Sequence, residues 1–323
     1  MFRQVAILGT GLMGGSLAAA LRARLPGVRL VGFGREPDIS RAMELGLFDA
    51  RADSVADALA GAELVVLAAP ISVNCALVPE VAAHLPPNAV LTDLSSVKGP
   101  VVTAWRRTIA AMSDGAAGQA TPGLGDFVPC HPIAGSDRGG PDAADLDLFV
   151  SREVVLSPLP GNRPDSVERL EALWQKLGAH VTRMSVADHD RVFALVSHAP
   201  HAVAFAVAGA VAADGASPGR PDAAAGKDAG AGKAVRDGGE EAPIRAGNHA
   251  GPGLLDLTRI AGSSPELWAD ILLQNQMPTL RAIDAVDARL QAIRHALLTG
   301  DRQALTRLLQ EGADWRRTWQ RHG

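Results

Sequence analysis

A short apolar run, Val5-Ala6-Ile7-Leu8, leads into Gly9-Thr10-Gly11-Leu12-Met13-Gly14 and then a helical run from Leu17 to Leu25 that stops at Pro26-Gly27. Strand, glycine turn and helix in this order constrain the chain more than any other stretch. In a G-x-G-x-x-G pattern the first glycine permits the tight turn. The second lets a pyrophosphate approach the backbone, and the third lets helix pack closely on strand. The helix N-terminus offers N–H groups and a positive dipole end to phosphate. Gly9, Thr10, Gly11, Leu12, Met13 and Gly14 are therefore candidate dinucleotide-binding residues.

Arg29 to Phe33 reads as a second strand, Glu63 to Ala69 as a third that ends in a turn at Pro70, and Ala89 to Asp93 as a fourth. A helix is expected from Ile71 to His84 and another from Ser166 to Leu177, with strands at Glu153 to Leu156 and His180 to Met184. This alternation predicts an α/β domain over residues 1–185, a doubly wound parallel sheet of Rossmann type. Ligands of such sheets lie beyond the carboxyl ends of the strands. Pro70, the loop Ser95-Ser96-Val97-Lys98 and the segment Pro129-Cys130-His131-Pro132 should therefore face one crevice. The flanking prolines predict a stiff loop that holds the His131 imidazole at a fixed angle. The competing readings are a structural histidine in a turn and, for Ser96, a helix N-cap.

The second strand should end beside the adenosine ribose, where an acid bonds the 2′-hydroxyl of NAD. This chain has Gly34-Arg35 there. An arginine pairs with a 2′-phosphate, so NADP is expected over NAD. In the other reading Arg35 stacks on adenine and Glu36 takes the ribose.

The 323 residues suffice for two domains with their own cores. A net charge of −4 gives no broad electrostatic footprint for nucleic acid. Cys75 and Cys130 are the only cysteines, which points to a reducing compartment, the cytoplasm, without a disulfide framework. No signal peptide is expected before Val5. The longest apolar helical stretch, Ala199 to Ala213, carries Pro200 and His201 and is expected to be too short to span a bilayer.

Residues 186–323 read as an all-α C-terminal domain that completes a substrate site and dimerises. His198 and His201 share a helix face, and Pro200 should kink or restart that helix. No cysteine or carboxylate at matching spacing accompanies the pair, so a pocket lining is expected and a metal is not. Residues 212–251, rich in Gly, Ala, Pro and Asp, read as a mobile insert that cannot bury enough apolar surface to order. Ser263-Ser264-Pro265-Glu266 marks a helix start, with helical periodicity from Leu267 to Leu298 and from Arg302 to Trp319. Arg259 is a candidate carboxylate clamp, or else a surface arginine.

Together these segments resemble the prephenate dehydrogenase family, which includes arogenate and cyclohexadienyl dehydrogenases. The resemblance rests on Gly9 to Gly14, Thr92-Asp93-Leu94-Ser95-Ser96-Val97-Lys98, His131-Pro132-Ile133-Ala134-Gly135, Asp190, Ser197-His198-Ala199-Pro200-His201 and Asp256-Leu257-Thr258-Arg259-Ile260-Ala261. It covers nearly the whole chain in order, apart from the insert and the last turns. It implies an NADP-dependent oxidative decarboxylase of prephenate, with arogenate or dual specificity, and NAD, as alternatives. His131 would accept the proton of the substrate's ring hydroxyl, and Ser96 would contact the same hydroxyl. Arg259 would bind a carboxylate, His201, Ser197 and His198 would line the pocket, and Lys98 would add positive charge near the ring. An imidazole near its ordinary pKa of about 6.5 suits such general-base work. Two departures stand out: the missing acid at position 34, as in NADP-using relatives, and the long insert.

Two other readings compete. A β-hydroxyacid dehydrogenase would rest on a lysine in the helical domain, and the only lysines there are Lys227 and Lys233 in the insert. An NADP-binding sensor without turnover would not need His131, Ser96 and Arg259 together.

Overall fold

Residue alternation along the first strands decides the architecture. Val5 and Ile7 enter one buried cluster and Ala6 and Leu8 another, and Leu64, Val66 and Val65, Leu67 divide in the same way. A strand apolar on both sides must be covered on both faces, which a parallel sheet with helices on each side achieves. In the computed structural model, which describes residues 1–112, 125–136, 138–215 and 246–320, that is what forms.

The elements are β1 (Gln4–Leu8), α1 (Leu12–Arg24), β2 (Arg29–Phe33), α2 (Asp38–Glu44), β3 (Ala50–Arg51), α3 (Val55–Leu59), β4 (Leu64–Leu67), α4 (Ile71–His84), β5 (Val90–Asp93), α5 (Gly99–Met112) and β6 (Asp126–Phe127). The six strands pair in parallel in the order β3-β2-β1-β4-β5-β6. The order reverses between β1 and β4, which is where such sheets open a crevice at their carboxyl ends.

The remaining strands do not extend this sheet. β7 (Cys130–Pro132), β8 (Glu153–Leu156) and β9 (His180–Arg183) form a second one, with α6 (Pro164–Lys176) between β8 and β9. β7 runs antiparallel to β8, with His131 opposite Val155, and β8 runs parallel to β9. His131 therefore sits in a short strand and not in the stiff loop that its prolines suggest. Pro129 precedes the strand and Pro132 ends it, so neither removes an interior ladder bond.

Two compact units divide the chain: residues 1–199 with 263–323, and residues 200–262. In the first unit, α7 (Val186–Phe193) starts at Ser185, whose hydroxyl accepts the Asp188 N–H, and continues into a π-helical turn at Ala194–His198. α10 (Pro265–Gln274), capped by Ser264, α11 (Gln276–Thr299) and α12 (Arg302–Gln320) complete it. The run expected from Leu267 to Leu298 is broken at Asn275, whose side chain is engaged elsewhere. In the second unit, α8 (Ala199–Gly215, entered at its first residue from the first unit) precedes α9 (Pro252–Thr258) and a 3₁₀ turn at Arg259–Gly262. Residues 212–215, assigned to the insert from composition, are the last turn of α8, and Ala246–His249 is another 3₁₀ turn. The rest of the insert, 216–245, lies outside the described residues.

Because α7, the π turn and α8 join, the helical stretch Val186–Asp214 reaches 29 residues, with a mean hydropathy of 1.5 in its most apolar window. By length and composition it is long enough to cross a membrane, unlike the shorter stretch the sequence suggests.

Candidate active site

The turn after β1 has the shape a dinucleotide requires. Gly9 has φ of +112°, and a Cβ there would lie 2.5 Å from the Ala68 carbonyl carbon. A Cβ on Gly14 would lie 1.9 Å from the Gly9 carbonyl oxygen, which is the helix-on-strand contact the third glycine permits. Gly11 faces open space, and it begins α1 with no side-chain cap and no acid in the first turn. The Thr10 hydroxyl is buried without a hydrogen-bond partner among the described residues. Uncapped N–H groups, an open glycine and an orphaned hydroxyl fit a phosphate-bearing cofactor. Pro70 lies at the exposed start of α4, after β4.

At the end of β5, Asp93 and Lys98 form a fully buried ion pair, Nζ to Oδ2 at 2.5 Å. The same Nζ donates to the Cys130 carbonyl at 2.5 Å, and Asp93 Oδ1 accepts the Cys130 N–H at 3.1 Å. Together they grip both polar groups of the residue before His131. Lys98, expected to add positive charge near the ring, has its ammonium enclosed and committed to Asp93 and the Cys130 carbonyl. Ser96 is half-buried in the same loop, and the neighbouring Ser95 is buried and accepts from Asn74 Nδ2 at 3.0 Å.

His131 is buried, and its Nδ1 lies 2.8 Å from His189 Nε2. His189 Nδ1 lies 2.8 Å from Asp190 Oδ1. Asp190 also accepts the backbone N–H groups of Lys98 and Gly99, each at 2.8 Å. Phe193, one helical turn after His189, meets both imidazoles at ring-centre distances of 4.9 and 4.5 Å. Burial, with the charges of His189, Lys98 and His198, holds His131 well below the usual histidine range, which corrects the expectation of an ordinary value. Burial also lowers His189, against the opposing pull of the Asp190 hydrogen bond. Both rings are neutral near pH 7.

The structure thus joins His131 to Asp190 and to two residues with no role in the sequence reading, His189 and Phe193. Nothing local marks them, since His131 and His189 are 58 positions apart. Asn275 was also missed; its amide donates to the Asp190 carbonyl at 2.8 Å and lies 3.0 Å from His198 Nδ1. His198, expected in a substrate pocket, is buried beside Trp268 and Asn275 and belongs to this packed framework. Ser197 is half-buried in the π turn. His201 is half-buried on α8, and Arg259 is exposed at the start of its 3₁₀ turn, both in the second unit. Arg35 is exposed after β2, and the Glu36 carboxylate is paired with Arg51.

Residues 17–183 match the family model for the prephenate dehydrogenase nucleotide-binding domain, and residues 185–227 and 234–311 match that for the prephenate dehydrogenase dimerization domain. The chain belongs to the prephenate dehydrogenase family. As a member it is a dehydrogenase, an oxidoreductase with a nucleotide-binding domain of Rossmann type. It is 30% identical over 302 residues to the cyclohexadienyl dehydrogenase of Zymomonas mobilis, covering 93% of this chain and 90% of that one. It is 30% identical over 318 residues to the prephenate dehydrogenase of Bacillus subtilis, covering 97% and 75%. Among solved structures it resembles the A. aeolicus prephenate dehydrogenase in complex with hydroxyphenyl propionate and NAD+, with a TM-score of 0.80, 26% identity and 98% of each chain covered.

Proposed function

We propose that this chain oxidatively decarboxylates prephenate to 4-hydroxyphenylpyruvate, with NADP as hydride acceptor, in tyrosine biosynthesis. The observation that carries the reading is His131: a buried, neutral imidazole held on a strand that Asp93 and Lys98 fix in place. The reaction needs one group that accepts the proton of the ring hydroxyl, and a neutral imidazole does so. The turn Gly9 to Gly14 would hold the oxidised nicotinamide dinucleotide, which would supply the acceptor for the hydride leaving the carbinol carbon. Breaking the bond to the ring carboxylate then releases carbon dioxide, and the electron pair left behind completes an aromatic ring. Ser96 holds the reacting hydroxyl, Arg259 takes a substrate carboxylate, and His201 and Ser197 assist binding. Residues 1–185 serve the cofactor and 186–323 the substrate.

NADP is favoured by the charges after β2. Glu36, the acid that would otherwise take a ribose hydroxyl, is committed to Arg51. No ion pair among the described residues engages Arg35, which leaves its guanidinium available for a 2′-phosphate. A second reading, use of arogenate as well, is favoured by the cyclohexadienyl dehydrogenase relative. The chain acts as a cytoplasmic homodimer through its helices, supported by the dimerization-domain match and by exposed Met277, Leu280, Leu297 and Leu298 on α11. Helix Val186–Asp214 is then a packing helix and not a membrane span, in keeping with buried His189, Phe193 and His198 along it.

The test follows reduced-cofactor absorbance with prephenate and arogenate, each against NAD and NADP. Turnover of prephenate with NADP is expected, and Arg35→Ala should weaken NADP by about 10- to 100-fold while sparing NAD. Absence of turnover with either substrate would overturn the activity, and a preference for NAD would overturn the cofactor choice.

A further inference from the structure

The array His131–His189–Asp190 fixes more than position. Asp190 Oδ1 accepts the Lys98 N–H and Oδ2 the Gly99 N–H, each at 2.8 Å. With both oxygens accepting, the carboxylate meets His189 Nδ1 as an acceptor at 2.8 Å, so that nitrogen supplies the hydrogen. A neutral imidazole carries one N–H. His189 Nε2 therefore presents a lone pair, and it lies 2.8 Å from His131 Nδ1. His131 in turn carries its hydrogen on Nδ1, and its Nε2 is left with the lone pair.

We propose that Asp190 and His189 are positioning residues that hold His131 in its Nδ1–H tautomer, so that Nε2 is the atom that accepts the substrate's hydroxyl proton. This rests on the function proposed above. When the carbinol O–H bond breaks, its proton binds His131 Nε2, and the hydride on the same carbon leaves for the oxidised nicotinamide dinucleotide. The imidazolium so formed keeps its Nδ1–H on His189 Nε2, and His189 keeps its own Nδ1–H on Asp190. The new positive charge is thus drawn toward a carboxylate inside a buried array, where such interactions are stronger than in water. Other groups face the array from each packed element: the compensated pair Lys98 and Asp93 from the end of β5, His198 from the π turn, Asn275 from the break before α11, and the Phe193 ring. None of these is placed to supply a second acceptor to His131 Nδ1 in the hydrogen bonds observed.

The test combines nitrogen NMR of histidine-labelled, ligand-free protein with kinetics. In the wild type, signals assigned to His131 by their loss in His131→Asn should show a protonated Nδ1 and a pyridine-like Nε2. His189→Leu removes the acceptor and should move the hydrogen to Nε2, cutting kcat by on the order of 10²- to 10⁴-fold, the scale on which a wrong histidine tautomer acts. Dinucleotide affinity should change little. His189→Gln keeps an acceptor oxygen in that place, so it should keep the tautomer, the pH profile of kcat/KM, and most of the turnover lost in His189→Leu. A wild-type His131 protonated on Nε2, or His189→Leu with wild-type kcat, would overturn the proposal. Should His189→Leu fail to fold, a wild-type tautomer on Nδ1 with a functional His189→Gln supports it, and a wild-type tautomer on Nε2 overturns it. The expected tautomer in a protein that turns over neither prephenate nor arogenate would instead uphold the positioning and overturn the function.

Discussion

Lys98→Met is the sharpest test of how this fold holds its candidate base. Lys98 and Asp93 are both fully buried, so removing the ammonium leaves a carboxylate whose remaining donors among the described residues are the N–H groups of Ser95, at 3.2 Å, and Cys130, at 3.1 Å. Breaking one side of a buried pair costs about 3–5 kcal/mol, against a total stability of about 5–15 kcal/mol for a folded protein. Asp93→Asn strands the ammonium instead and should cost a similar amount. The double variant Lys98→Met/Asp93→Asn has no uncompensated charge. It keeps an acceptor for the Cys130 N–H and loses mainly the bond to the Cys130 carbonyl, so it should cost only about 1–3 kcal/mol. The singles are thus strongly non-additive, because each hurts by orphaning the other's charge. Urea unfolding followed by circular dichroism reads all four proteins, with the slope checked for constancy. The kinetic effect should follow the same order, since a shift of about 1 Å in a positioned group costs on the order of 10²-fold in rate. A cost below about 1 kcal/mol for either single, or a double equal to the sum of the singles, would refute the clamp.

Further predictions concern the buried histidines and the turn Gly9 to Gly14. His131 and His189 have folded-state pKa values below the ordinary value, so the unfolded chain binds protons first; stability should be full above about pH 6.5 and fall as pH drops below it, by up to about 1.4 kcal/mol per pH unit for each ring. A urea midpoint that stays constant between about pH 7.5 and about pH 5.5 would contradict this. In the nucleotide turn, Gly11→Ala should melt like the wild type yet lose the stabilisation that dinucleotide gives, because its Cβ enters open space on the phosphate side. Gly14→Ala should itself lose about 1–3 kcal/mol or more, because its Cβ would lie 1.9 Å from the Gly9 carbonyl; equal melting of the two variants would undo the assignment.

The parts of this protein that were legible in the sequence are those whose cause is local. The turn Gly9 to Gly14 announces itself because two of its demands are local, the positive φ of Gly9 and the approach of Gly14 to the Gly9 carbonyl, and the capping Ser264 is visible for the same reason; Ala68, which also bars a side chain at Gly9, is not. His131 was legible as a candidate and misplaced as structure: two prolines argue for a loop, and only β8, more than twenty positions away, makes it a strand. Lys98 shows the opposite failure. The sequence displays a cation near a crevice, but whether that cation faces a ligand or a buried carboxylate depends on Asp93 and on the Cys130 peptide, which no spacing rule connects. His189 is hidden by its surroundings, because the flanking Asp188 and Asp190 give no local sign that it is buried. Asp188 is exposed and accepts from the hydroxyl of its helix cap, Ser185, while His189 and Asp190 turn inward with Phe193. That inward turn is what the proposed base needs, because a lone imidazole in a strand has two nitrogens and no reason to prefer one. The choice between them is made from α7 and the start of α5, so the chemistry of His131 is written in residues that only the folded chain brings beside it.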